Sequence, residues 1–241
     1  MGLSLTVLGC DGGYPGPGGA TSGYLVRAAG LSVVVDLGHG ALANLQLHHD
    51  LNTIDAVVLS HEHPDHWADL EGLAVARMGA PERPPLAVYA PGGLRSHVYH
   101  DGAGMFDWRL VSDGDRVELG AIRLGFSRTD HGPETLALRV DAEGSSLGYT
   151  ADTGPDWSLS ALGTGLDLGL CEATWLAPDE GGAARHLSAR QAGAMASEAG
   201  VRRCVLTHRR PGLAAEASFA EGSEAYGSAV DQATIGAVYN L

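Results

Sequence analysis

The feature that most constrains this chain is His61-Glu62-His63-Pro64-Asp65-His66, which crowds four metal-binding side chains into six residues. It follows Ile54 to Leu59, an apolar, partly β-branched run that predicts a buried strand. The segment therefore opens at a strand's C-terminal end, where α/β folds usually place their ligands. Pro64 keeps the chain from entering a regular helix at once. Histidines at i and i+2 on an extended segment point the same way, so His61 and His63 can serve one ion. Asp65 and His66, after the chain turns, reach a second. Such mixed imidazole and carboxylate ligands suit zinc, with manganese as the alternative. A histidine-rich surface loop is the bland reading, and ligand candidates further downstream argue against it.

The 241 residues, 44% hydrophobic and 18% charged, are enough to bury one sizeable core, and a single domain over 1–241 is expected. Cys10, Cys171 and Cys204 form no CxxC pair, which disfavours a disulfide framework, a zinc knuckle or a redox motif and fits a reducing cytoplasm. Met1 to Thr6 lacks a basic leader, and no apolar run approaches the ~20 residues of a membrane span, so neither export nor membrane insertion is expected. Gly2 and Thr6 match a loose myristoylation pattern, but the same residues read better as the first strand. All fifteen basic residues are arginines, which excludes Schiff-base chemistry and a P-loop lysine. Codon bias accounts for the missing lysine. A net charge of −14, with no basic run longer than Arg209-Arg210, disfavours a broad nucleic-acid footprint, although bound metals would offset charge locally.

Patterning predicts strands over 3–8, 23–27, 31–36, 54–59, 86–89, 121–126, 136–140, 146–150, 166–170 and 204–206. Helices are expected over 41–49, 67–78 and 188–199, the last with Ser188 as N-cap. Gly12 to Gly19 reads as a loop. This order suits a sheet-on-sheet core flanked by helices, without separating it from other α/β layouts. The sequence shows no repeat, linker or low-complexity tail.

HEHPDH resembles the HxHxDH signature of the metallo-β-lactamase superfamily. Thr129-Asp130-His131 resembles the third histidine motif, Tyr149-Thr150-Ala151-Asp152-Thr153 the segment carrying a bridging aspartate, and Leu206-Thr207-His208 the final motif. The resemblance spans nearly the whole chain and implies an αββα sandwich of two mixed sheets flanked by helices. It further implies that His61, His63 and His131 hold one divalent ion, that Asp65, His66 and His208 hold the other, and that Asp152 bridges both. The open position would be left for a bridging hydroxide, acidified by the two ions.

Cys171-Glu172-Ala173-Thr174-Trp175 and His186-Leu187-Ser188 resemble the corresponding boxes of tRNase Z-like phosphodiesterases. By that likeness His186 would protonate the leaving oxygen or stabilise the transition state, with Glu172 orienting it, and Asp65 would double as ligand and base. Pro178 to Arg185, rich in Gly and Ala, reads as a lid. One departure matters: tRNA-processing relatives insert a long arm between the third histidine motif and the bridging aspartate, and here the gap is 152 − 131 = 21 residues. A tRNA partner is therefore not expected. The compact form is similar to atypical cyclic-nucleotide phosphodiesterases. The expected function is metal-dependent hydrolysis of small phosphodiesters, cyclic nucleotides first, with RNA 3′-processing or thioester and lactone hydrolysis as alternatives. A homodimer is compatible with this. His39, His48, His49, His97 and His100 lack partners at metal spacing, Gly38 and Gly40 would let backbone approach the cleft, and Trp67 reads as core packing or the edge of a base-stacking wall.

Overall fold

The computed structural model describes residues 2–79, 82–100, 104–181 and 185–241. Alternation along β3 (Leu31–Leu37) sets the layering. Val33 and Val35 join a core between two sheets, while Val34 joins a second core beneath helices. Successive strand residues face opposite sides, so an unbroken Val run marks a strand buried on both.

Among the described residues, fourteen strands form two seven-stranded sheets. The first contains β1 (Ser4–Gly9), β2 (Gly23–Ala28), β3, β4 (Ala56–Val58), β5 (Leu86–Ala90), β6 (Phe106–Leu110) and, beside β1, the closing strand β14 (Val238–Asn240). The second contains β7 (Arg116–Leu119), β8 (Ile122–Arg128), β9 (Leu136–Ala142), β10 (Ser145–Tyr149), β11 (Leu168–Glu172), β12 (Cys204–Thr207) and β13 (Asp231–Gln232). Both sheets pair antiparallel along one half and parallel along the other, with the change at β3 and at β10. The backbone thus repeats a layout that the sequence does not display.

Helices α1 (Ala41–His48) and α2 (Leu70–Met78) cover the first sheet through Leu45, Leu70 and Leu73. Helix α3 (Ala189–Glu198) covers the second through Ala192, Met195 and Ala196, with α4 (Ala215–Tyr226) packed against it. The result is the expected αββα sandwich. A Cβ on Gly193 of α3 would lie 2.3 Å from the Gly222 carbonyl oxygen of α4, so the two helices approach backbone to backbone.

Several details differ from the patterning. Helix α2 starts at Leu70 instead of Trp67 because the Asp69 amide donates to the Leu37 carbonyl of β3 (3.0 Å), outside the helix. Strands β6, β7, β13 and β14 and helix α4 were not expected. The strands are short or polar, and α4 is mostly Ala, Ser, Gly and Glu, with Phe219 and Tyr226 too far apart to make an apolar stripe. Ser188 is the N-cap of α3, completed by Gln191 into a capping box. Cys171 and Cys204, distant in sequence, lie on neighbouring strands as buried free thiols. No helix among the described residues is long and apolar enough to cross a membrane.

Candidate metal centre

Chemically equipped segments follow β4, β8, β10, β11 and β12, at one edge of the sandwich. After β4, Ser60 and His61 lead into a 3-10 turn, Pro64–His66, with Pro64 in its first turn. Two glycines let neighbouring backbone close on this edge. A Cβ on Gly38 would sit 1.9 Å from the Asp65 carbonyl oxygen, and one on Gly12 would sit 2.4 Å from that of His208.

The seven residues expected to surround metal converge in two groups. His61, His63, His131 and Asp152 form one, and Asp65, His66 and His208 the other, with ligand atoms in each group within 4.8 Å of one another. Asp152 spans them: Oδ2 lies 3.6 Å from His61 Nε2 and 3.8 Å from His131 Nε2, and Oδ1 lies 3.2 Å from His66 Nε2 and 3.3 Å from His208 Nε2.

The outer hydrogen bonds decide what these imidazoles present. His66 Nδ1 donates to Asp36 Oδ2 (2.8 Å), and His131 Nδ1 donates to the Arg185 carbonyl (2.9 Å). Ser60 Oγ donates to Asp36 (2.8 Å), so it accepts from His61 Nδ1 (3.0 Å). Thr174 Oγ1 donates to Glu172 (2.7 Å), so it accepts from His208 Nδ1 (2.9 Å). Four rings thus donate outward from Nδ1 and aim Nε2 inward, as metal-binding histidines do. His63 presents Nδ1 instead, 3.2 Å from His131 Nε2. The Nε2 atoms of His66 and His208 face each other at 3.3 Å, a contact that needs a proton or a metal cation between them. His61 Nε2 and Asp152 Oδ1 are buried without any hydrogen bond. Buried polar atoms are rarely left so. The His/Asp cluster fits a binuclear metal site.

The side chains by themselves divide the cluster. Burial, then the neighbouring His66, holds His61 well below the usual imidazole value, favouring the neutral form that donates a lone pair. His66 goes the other way: burial would lower it, but Asp152, Asp36 and Asp65 outweigh burial and push it well above that value, so a proton competes with a metal for its inward nitrogen. Burial alone would raise Asp152, but the surrounding imidazoles, His208 and His66 first, outweigh it and hold it well below the usual carboxylate value. Burial would likewise raise Asp65, yet His66 and His208 hold it low, and the Gly13 amide donates to its Oδ2 (2.8 Å).

Asp36 was missed by sequence reasoning. Tyr24 pairs with Val35 and Gly23 with Leu37, so Asp36 is the extra residue of a bulge in β3, at φ 52°. Bulges re-aim side chains. Here the carboxylate, fully buried, accepts from the Ser60 amide and hydroxyl, His66 Nδ1 and Tyr149 Oη at 2.7–2.8 Å. Ala151 and His208 share the left-handed conformation (φ 50° and 53°). Such residues cost about 1–3 kcal/mol each and cluster at functional sites. Asp36→Ala should lower unfolding free energy by about 3–5 kcal/mol, because it strands four buried donors. An unchanged urea midpoint would contradict this.

His186 Nδ1 donates to Glu172 Oε1 (2.9 Å), and its ring stacks on His208 with centroids 5.5 Å apart. Glu172, fully buried, also accepts from the Thr153 amide (2.9 Å). Burial pulls the His186 imidazole down, but Glu172 outweighs it and the group is pushed up to about 9. His186 also falls in a group with Asp152 and His208. Of the expected lid, Gly182, Ala183 and Ala184 lie outside the described residues. The other histidines stay apart: His39 is exposed, His49 bonds Thr53, and His97 and His100 pair with Glu62 and Glu71. Trp67 packs partly against the helix layer and stacks on His97.

Comparison with known proteins places this geometry. The description "Beta-lactamase superfamily domain" matches residues 31–209. An uncharacterized protein of Mycobacterium tuberculosis is 39% identical over 223 residues, covering 87% of this chain and 81% of that one. The probable metallo-hydrolase YhfI of Bacillus subtilis is 29% identical over 217 residues, 86% of each chain. A ribonuclease Z of Mycolicibacterium gilvum is 29% identical over 244 residues, 88% of this chain and 85% of its own. The crystal structure of YhfI superposes with a TM-score of 0.91 at 27% identity over 99% of both chains. A diphosphatase of the PhnP family (TM-score 0.76, 19% identity, 100% and 98% covered) and yeast PDE1 (0.80, 12%, 100% of both) share the fold.

Proposed function

This chain belongs to the β-lactamase superfamily and is a metal-dependent hydrolase, and from that premise we propose that it hydrolyses small phosphodiesters, cyclic nucleotides first among them. His61, His63 and His131 would hold one divalent ion, Asp65, His66 and His208 the other, and Asp152 both. Zinc, with manganese as the alternative, fits this donor set. When bound, the ions supply an acidified water and neutralise phosphate charge.

The rest falls to the chain. The observation that carries the phosphodiester reading is His186, outside the seven-residue set, oriented by the buried Glu172 beside Asp152. Phosphodiester hydrolysis breaks one P–O bond, adds water, and returns a proton to the departing alkoxide. A ribose alkoxide is a poor leaving group and needs that proton early. A protonated His186, charge-stabilised by Glu172, would give it. Asp65, held by the Gly13 amide and kept ionised against burial by His66 and His208, would serve first as a ligand and only second as the group that takes the proton from the attacking water.

RNA 3′-processing is the weaker reading. The 21-residue step from His131 to Asp152 is spent mostly on the β9–β10 hairpin, which leaves no room for an arm gripping tRNA. The Glu172–His186 pair weighs against thioester or lactone hydrolysis. Every residue in the proposed site comes from one chain, so a homodimer is not required for chemistry. Three free thiols accord with a cytoplasmic setting, which remains part of the proposal.

The test is turnover of bis-p-nitrophenyl phosphate, cyclic AMP, pre-tRNA and a thioester by the zinc- or manganese-loaded protein. Turnover of the first two, with little on the others, is expected. Preference for pre-tRNA or the thioester would overturn the substrate assignment.

A further inference from the structure

Arg185 links the site to its rim in two ways. Its carbonyl accepts from His131 Nδ1, which puts its backbone one imidazole ring from the cluster. Its guanidinium, through one nitrogen, pairs with Asp130 Oδ1. Asp130 is held by the Thr153 hydroxyl on its amide, and its own carbonyl accepts from the Gly154 amide (2.7 Å), so the acceptor is fixed on the frame that carries Asp152. The arginine is not: its side chain is 65% exposed, against 10% for Asp130. An ion pair so open on one side costs little to break. A phosphodiester entering beside His131 would offer the same guanidinium an anionic partner with two oxygens matched to its fork.

We propose that Arg185 is a substrate-binding side chain parked on Asp130, which hands its guanidinium to the phosphate anion when substrate enters. This rests on the phosphodiester reading and adds a side chain that grips the anion at the rim, on a chain whose net charge is −14. Asp130 then competes with the substrate. The two partners of one ion pair should therefore have opposite effects on anion binding, which a purely structural pair would not produce.

The probe is AMP, titrated calorimetrically into the metal-loaded protein, with KM for cyclic AMP measured alongside. Losing a charge-assisted hydrogen bond to phosphate should weaken AMP about tenfold in Arg185→Gln. Arg185→Lys should fall between wild type and Arg185→Gln, since it keeps the charge but loses the fork. Asp130→Asn should tighten AMP about threefold, the scale of an exposed ion pair. That gain should vanish in the Arg185→Gln background, which separates competition for Arg185 from simple removal of a negative charge. Weakening in both single variants, or a gain that survives in the double variant, would overturn the inference while leaving the phosphodiester reading intact. A wild-type protein that binds no AMP and turns over no phosphodiester would overturn both.

Discussion

Asp152→Ala is expected to abolish hydrolysis and to lower bound metal below two ions per chain. The carboxylate is almost fully buried and lies within 3.2–3.8 Å of His61, His66, His131 and His208, so no neighbour can replace it as the shared negative group. Two cations held by the two ligand groups would repel each other strongly at the low effective dielectric of such a site. Removing one partner of a buried charge pairing costs about 3–5 kcal/mol, and taken from metal affinity this corresponds to a loss of about 10²- to 10⁴-fold in binding. Asp152→Asn keeps the shape and removes the charge, and should lose nearly as much. Substantial activity with two metals retained in either variant would contradict the bridging role.

His186→Ala is expected to leave metal content unchanged while lowering kcat by about 10²- to 10⁴-fold on cyclic AMP, the usual contribution of a positioned acid. The loss should be smaller on bis-p-nitrophenyl phosphate, because nitrophenolate departs without a proton. The pH profile has a defined sign. The imidazole is pushed up to about 9, so its acidic form is present at neutral pH, and kcat should fall as pH rises through that value. Cations in the cluster would pull the value down, which places the alkaline limb at or below about 9. That limb should disappear in His186→Ala. Equal losses on both substrates would mean charge stabilisation or positioning instead of acid catalysis. Loss of metal would make His186 a ligand, an outcome its proximity to Asp152 and His208 makes worth measuring.

The cluster's members were legible because HEHPDH and the downstream segments that carry His131, Asp152 and His208 resemble the superfamily's motifs in order, each just past a strand. What held them was not. Asp36 ends a Val run and reads as an ordinary strand terminus, and only the bulge and left-handed backbone reveal it as the acceptor fixing His66 and Ser60. Thr174 stood in a recognised box, yet its relay from His208 to Glu172 exists only in three dimensions. Gly12 read as loop punctuation, whereas its missing Cβ is what lets that loop rest on His208. Arg185 carries no local signal, since its role comes from a carbonyl and a partner 55 residues away. Helix α4 escaped for the opposite reason, because small residues chosen for close approach to α3 leave no hydrophobic period to read.

The most direct measurement is a titration of the metal-stripped protein with zinc or manganese, following bound ions and phosphodiester turnover together. The account predicts that turnover rises until two ions are bound per chain and is then level. Full activity with one ion bound, or no phosphodiester turnover with two, would contradict it.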